Sequence, residues 1–111
     1  MDKFDLEVHN ALQELRIPAH LKGYELIKSA MKIIRDDPNA IYSIGKIYEA
    51  VAQEYGTTHK AVSSGIRNAL QSAKSDYHDQ KRILGTNREL CNAEFLATLA
   101  EVVRLKLVGA A

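Results

Sequence analysis

One cysteine, Cys91, is all the sequence contains, so no internal disulfide can staple the chain, and a reducing cytoplasm is the expected setting. Cys91 reads as a small residue near a helix start rather than as a nucleophile or redox switch. No apolar run reaches about 18 residues and no charged-then-apolar leader opens the chain, so neither a membrane span nor a signal peptide is expected. His9, His20, His59 and His78 are scattered, without zinc-site spacing, so no metal or other cofactor is expected. The sequence also lacks a nucleophile–base pair and a phosphate-cradling glycine loop, which argues against an enzyme. No repeat and no convincing period-two alternation is present. Strands are therefore not expected, and the chain reads as all-α.

What is present is ordinary for a globular chain. At 111 residues, with 46% apolar and 26% charged residues, the chain is read as one domain spanning 1–111, able to bury a core without disulfides or metal. Phe4 to Arg16 reads as a first helix with Leu6, Ala11, Leu12 and Leu15 as its apolar stripe and Asp2 or Asp5 as its cap. Ile17-Pro18-Ala19-His20 breaks it, because the residue before a proline leaves the α region. His20 is expected to have a structural hydrogen-bonding role. Leu21 to Arg35 is a second helix, with Tyr24, Ile27, Met31 and Ile34 recurring at three and four. Asp36-Asp37-Pro38-Asn39 reads as a loop, and its paired acids need no catalytic role. Ala40 to Lys46 is a short helix or turn with Ser43 as a candidate cap, and Ile41, Ile44 and Ile47 feed the core.

Tyr48 to Ala73 carries the functional signal. Val51, Ala52, Tyr55 and Gly56 close one helix, and Val62 and Ile66 open another. Ala52 allows close approach and Gly56 supplies a positive φ, as a helix-turn-helix requires. Ala61, Val62, Gly65, Ile66, Ala69, Leu70 and Ala73 keep one apolar face. Thr58, His59, Lys60, Ser63, Ser64 and Arg67 are left outward, a short, polar and basic set suited to a major groove. The net charge of +1 divides unevenly: Met1–Tyr55 carries seven Lys/Arg and nine Asp/Glu, whereas Gly56–Arg82 carries five and two. Positive charge therefore collects on the second helix of the motif and just after it, where phosphates would lie. Lys74 to Glu89 reads as polar and irregular, with Ile83-Leu84 as an apolar anchor and Gly85-Thr86-Asn87 as a turn. Asn92 is expected to cap a last helix, with Phe95, Leu96, Leu99, Val102 and Val103 on its buried side through Leu107.

Taken together, Ile17-Pro-Ala-His-Leu-Lys-Gly-Tyr24, Ser43-Ile44-Gly45-Lys46, Thr57-Thr58, Ile66-Arg67 with Ala69, Asn92-Ala93-Glu94-Phe95 and Arg104-Leu105 form a specific string. It resembles the DNA-binding effector domain of the sporulation master response regulator, the stage-zero sporulation protein A family, over roughly Asp5 to Leu107. The resemblance implies a compact bundle of about six helices containing a helix-turn-helix. It further implies cytoplasmic double-stranded DNA binding in transcription regulation, self-association as a dimer or tandem copies on DNA, and RNA polymerase as a further partner.

The departures bear on function. The family regulator carries a phosphorylatable receiver ahead of this region. Here Met1 stands a few residues before it, so an excised domain or a free-standing relative without a receiver is expected. Ser63 and Ser64 stand where the family presents an acid and an arginine, while Arg67 is kept. A bidentate arginine–guanine contact is worth ~1–3 kcal/mol of discrimination, and a serine cannot replace it. The segments before the helix-turn-helix and before Asn92 are shorter than the family's. The expected assignment is therefore base reading by Arg67, Ser63, Ser64 and His59, with Thr58, Lys60 and Lys74 on phosphates. The alternative is a helical interaction module that modulates a full-length relative and binds DNA weakly without site preference.

Overall fold

Asp2 accepts the Asp5 N–H at 2.8 Å and so starts α1 (Lys3–Glu14), the first element of a computed structural model that describes residues 2–86 and 88–109. The helix ends earlier than its periodicity suggests. Arg16 takes a left-handed φ of +56°, and the Ile17 N–H reaches back to the Leu12 carbonyl at 3.2 Å. The break is thus made one residue before the Ile17-Pro18 step. Phe4, Val8, Ala11, Leu12 and Leu15 form the buried stripe, whereas Leu6 is 47% exposed. Leu6 stands two residues from both Phe4 and Val8, about 200° around the helix from Phe4, so it faces solvent. His20 is exposed and its ring makes no hydrogen bond among the described residues, so its expected role is not found.

The second helix, α2 (Lys22–Asp36), runs through the centre of the core. Tyr24, Leu26, Ile27, Ala30, Met31 and Ile34 are all buried along it. The Asp-Asp-Pro-Asn stretch is not wholly a loop: Pro38–Tyr42 is a 3-10 turn capped by Asp37, whose carboxylate accepts the Asn39 N–H. Proline's fixed φ suits the first position of such a turn. Ser43 stands at the cap position of α3 (Ile44–Tyr55) but its side chain makes no capping bond. Next come α4 (His59–Gln71) and α5 (Tyr77–Leu84).

The α5 helix lies inside the stretch read as irregular. Asp76 accepts the Asp79 N–H at 2.8 Å, Gly85 closes the helix at φ +79°, and only Ile83 and Leu84 are buried. With so few apolar anchors in eight residues, hydrophobic periodicity leaves little trace. The proposed Gly85-Thr86-Asn87 turn ends at Asn87, which lies outside the described residues. The last helix is α6 (Asn92–Gly109), which buries Phe95, Leu96, Leu99, Ala100 and Val103. Among the described residues no segment is a strand, and no helix is long and apolar enough to cross a membrane.

One contact positions the rest. Gly23 of α2 and Gly65 of α4 face each other so closely that a Cβ on Gly23 would overlap the Gly65 carbonyl and stand 2.7 Å from the Ala69 Cβ. Small residues on both sides let these two helices meet backbone to backbone. The C-terminal end of α4 is held separately: the Lys74 and Ser75 N–H groups donate to the Arg16 and Leu15 carbonyls at 3.0 and 3.3 Å.

Candidate nucleic-acid interface

The turn between α3 and α4 is built by backbone hydrogen bonds. Gly56 sits at φ +63°, its N–H donates to the Gln53 carbonyl, and the Thr57 N–H donates to the Ala52 carbonyl at 2.9 Å. That pair of bonds is the Schellman ending, which needs a left-handed residue at the glycine position. Thr58 then starts α4, its Oγ1 accepting the Ala61 N–H at 3.0 Å. The His59 and Lys60 N–H groups have no acceptor among the described residues. Two free amides at the positive end of a helix dipole favour an anion such as a phosphate.

Val62, Ile66 and Ala69 are fully buried against α2 and α3. At 100° per residue this burial fixes the opposite arc of α4, which holds Lys60, Ser64, Arg67 and Gln71, all exposed. Ser63 flanks that arc and is half-buried. The structure thus brings Arg67, Ser64, Ser63 and Lys60 onto one continuous surface. His59 stands at its edge, its ring tilted 56° against that of Tyr48 with centroids 5.2 Å apart. Lys74 is set apart from this group, beyond the C-terminal end of α4, and is exposed. Thr58 and Lys74 therefore bracket a helix roughly 20 Å long.

Charge pairing separates these cations from others. Among the described residues, Arg82 pairs with Glu14 at 3.1 Å and with Asp79 at 3.7 Å, and Arg88 pairs with Glu94. No carboxylate lies within ion-pair distance of Lys60, Arg67 or Lys74 among the same residues. The excess positive charge counted along 56–82 is thus smaller than the sequence suggests, because Arg82 is partly neutralised. Of the five cations in 56–82, Lys60, Arg67 and Lys74 remain unpaired on α4 and its flanks, and Lys81 remains unpaired on α5, among the described residues.

Asn92 does not cap α6. Its buried amide donates to the Tyr48 hydroxyl at 3.1 Å and to the Ser63 carbonyl at 2.9 Å, tying α6 to both α3 and α4. The capping role falls instead to Glu94, whose carboxylate accepts the Cys91 N–H at 3.3 Å. Glu94 is held at a pKa of about 2, first by its hydrogen bond with Arg88 and then by the Cys91 backbone and thiol. Beside Asn92 opens a cleft of about 660 Å³, with Ser63 and Arg67 on one wall and Leu84, Leu90 and Phe95 on the other. Sequence reasoning missed the Asn92 tie because a residue in an Asn-x-Glu-Phe helix start looks like a cap. Only the tertiary placement of Ser63 shows otherwise.

Two helices joined by a tight left-handed turn, the second presenting an unpaired basic and hydroxyl surface, define a helix-turn-helix effector domain of the all-helical class. The chain belongs to the family described as sporulation initiation factor Spo0A C terminal, whose model matches residues 8–103. That family is a DNA-binding effector domain, and DNA binding in transcription regulation is the function class it supports.

Proposed function

We propose that this chain reads specific double-stranded DNA sequences by placing α4 in the major groove. The observation that carries the proposal is the exposed arc of α4: Lys60, Ser64 and Arg67 have no part in the core and no ion-pair partner among the described residues. In this reading Arg67 contacts a guanine edge, and Ser63, Ser64 and His59 meet bases directly or through water. Thr58 and Lys60, with the free amides of the first turn, hold one phosphate strand, and Lys74 holds phosphate at the other end. Short serines allow α4 to sit close to the bases, and they carry less discrimination than an arginine would. Binding as a dimer or tandem copies on neighbouring sites, and contact with RNA polymerase, are further parts of the proposal, drawn from the family.

Selection from a randomised duplex library tests it, followed by titration of the selected site and a scrambled one at two salt concentrations. One enriched sequence held several-hundred-fold or more tighter than scramble, approaching the roughly thousand-fold at which the range of specific regulators begins, supports the reading. Arg67→Ala should cost about 1–3 kcal/mol on the selected site and relax preference at one base pair, whereas Lys74→Ala should weaken all sequences alike and flatten the salt slope by about one. Equal losses for both variants on both duplexes would sink the assignment of Arg67 to base reading. No enrichment, with affinity vanishing as salt rises, would favour the interaction module that modulates a relative by pairing with it.

A further inference from the structure

Asn92 is one of two buried polar side chains among the described residues, and both hydrogens of its amide point at the helix-turn-helix. One goes to the Tyr48 hydroxyl on α3, the other to the Ser63 carbonyl on α4. In helix geometry that carbonyl is also the acceptor for the Arg67 N–H one turn later. The amide therefore grips the peptide unit that joins Ser63 to Ser64 and that accepts the Arg67 N–H. Apolar packing of Val62, Ile66 and Ala69 holds α4 against the core, but such contacts tolerate small rotations because they are non-directional. A hydrogen bond from a fixed donor is directional.

We propose that Asn92 is a positioning residue for sequence reading: through the Ser63 carbonyl it sets the rotation of α4 about its own axis. This rests on the proposed base-reading role of α4. Turning a helix by about 10° moves a side-chain tip roughly 1 Å, given a radius of about 5–6 Å with side chains. A shift of that size takes a bidentate contact out of the hydrogen-bond range of about 2.7–3.2 Å. Phosphate contacts by flexible lysines follow such a movement, so selectivity should suffer before affinity does. The Tyr48 hydroxyl bond, in contrast, joins α6 to α3, which carries no proposed base contact, and its removal leaves the ring that packs against His59 in place. Its loss should loosen the fold without re-aiming the reading surface.

The test compares Asn92→Ala, Tyr48→Phe and Arg67→Ala on the selected and scrambled duplexes, with melting temperatures measured in parallel. Asn92→Ala should cut the selected-to-scrambled affinity ratio by about 5- to 150-fold, the size of one lost bidentate base contact, while scrambled binding stays nearly constant. Tyr48→Phe should lower the melting temperature and leave the ratio intact. If Asn92→Ala does not fold, Asn92→Ser, which stays polar but cannot span both acceptors, takes its place with the same expectation. A folded Asn92 variant with an unchanged ratio would overturn the inference, as would equal losses of ratio in the Asn92 and Tyr48 variants. If Arg67→Ala also leaves the ratio unchanged, base reading by α4 is wrong and the positioning role falls with it. If only Arg67→Ala lowers the ratio, the reading stands and Asn92 is merely structural.

Discussion

Replacing Gly23 with alanine adds one methyl group at the point where α2 crosses α4. The new Cβ would overlap the Gly65 carbonyl oxygen and stand 2.7 Å from the Ala69 Cβ. The first of these is backbone, and the second is a side chain with no rotamer to change. Neither can step aside, so the helices must separate. Overpacking of this kind costs about 1–3 kcal/mol, with a rigid backbone neighbour pushing toward the upper end. Against it stands the helix propensity of alanine over glycine, at most about 1 kcal/mol and less in a first turn. The net expectation is a loss of about 1–2 kcal/mol. For a domain of this size that lowers the melting temperature by roughly 4–10 °C, followed by far-UV circular dichroism. Two other glycines serve as controls. Gly45→Ala meets only the His59 Cε1 at 3.8 Å, an ordinary contact, and should stabilise by a few tenths of a kcal/mol. Gly65→Ala meets the Leu26 Cδ1 at 2.8 Å, the movable end of a side chain, and should fall between the other two. A Gly23→Ala protein that melts at or above the parent temperature, or as high as Gly45→Ala, would refute the close crossing.

Three further outcomes follow from local geometry. Gly56→Val should cost about 1–3 kcal/mol by equilibrium unfolding, because φ is +63° and its Cβ would meet nothing within 4 Å, so the loss is backbone strain alone; unchanged stability would show the turn is elsewhere. Arg16→Gly should raise the denaturant midpoint by relieving a left-handed non-glycine residue at φ +56°, a net gain of about 0.5–1 kcal/mol after the extra chain entropy of glycine; a lower midpoint would mean the Arg16 side chain holds something. Glu94 has its folded pKa depressed from 4.5 to about 2, so its contribution is complete above pH 4.5 and is lost as pH falls toward 2. In Arg88→Ala, stability should fall less steeply across that window. An identical slope in the variant and the parent would contradict the pairing.

Much of this fold can be read from periodicity. The stripes of α2, α4 and α6 repeat at three and four, and Gly56 announces its turn by being the one residue free to take a positive φ there. The outward set on α4 follows directly from the buried one, so the exposure of Lys60, Ser64 and Arg67 is legible in the sequence. Other features have no local signature. The α5 helix has only Ile83 and Leu84 to bury, and its cap, Asp76, looks like any polar residue in a polar run. Gly23 and Gly65 are unremarkable in one dimension, since close approach is a property of the pair. Arg82 adds positive charge to its segment but finds Glu14, 68 residues away, as a partner. Asn92 reads as a cap until Tyr48 and Ser63 are brought beside it.

The mounting of α4 bears on how affinity and selectivity divide in this molecule. Its apolar side is pressed on α2 at a crossing that admits no methyl group, its far end is pinned by backbone bonds from Lys74 and Ser75, and its middle is held by Asn92. On the proposed reading, a helix fixed at three places has little freedom to adapt to a mismatched site. On that reading two of its base-facing side chains, Ser63 and Ser64, are short, so at those positions it has little reach with which to compensate. Stiff mounting therefore suits short side chains: a serine contributes discrimination only if the helix puts it within hydrogen-bond range, where a long arginine could search for its partner. On this argument the two serines and the three tethers are parts of one arrangement. A Ser64→Arg variant should then gain affinity for many sequences at once, through phosphate and guanine contacts the flexible side chain finds for itself, and its selected-to-scrambled ratio should rise less than its affinity. A ratio rising in full proportion to affinity would show that reach, and not mounting, limits selectivity here.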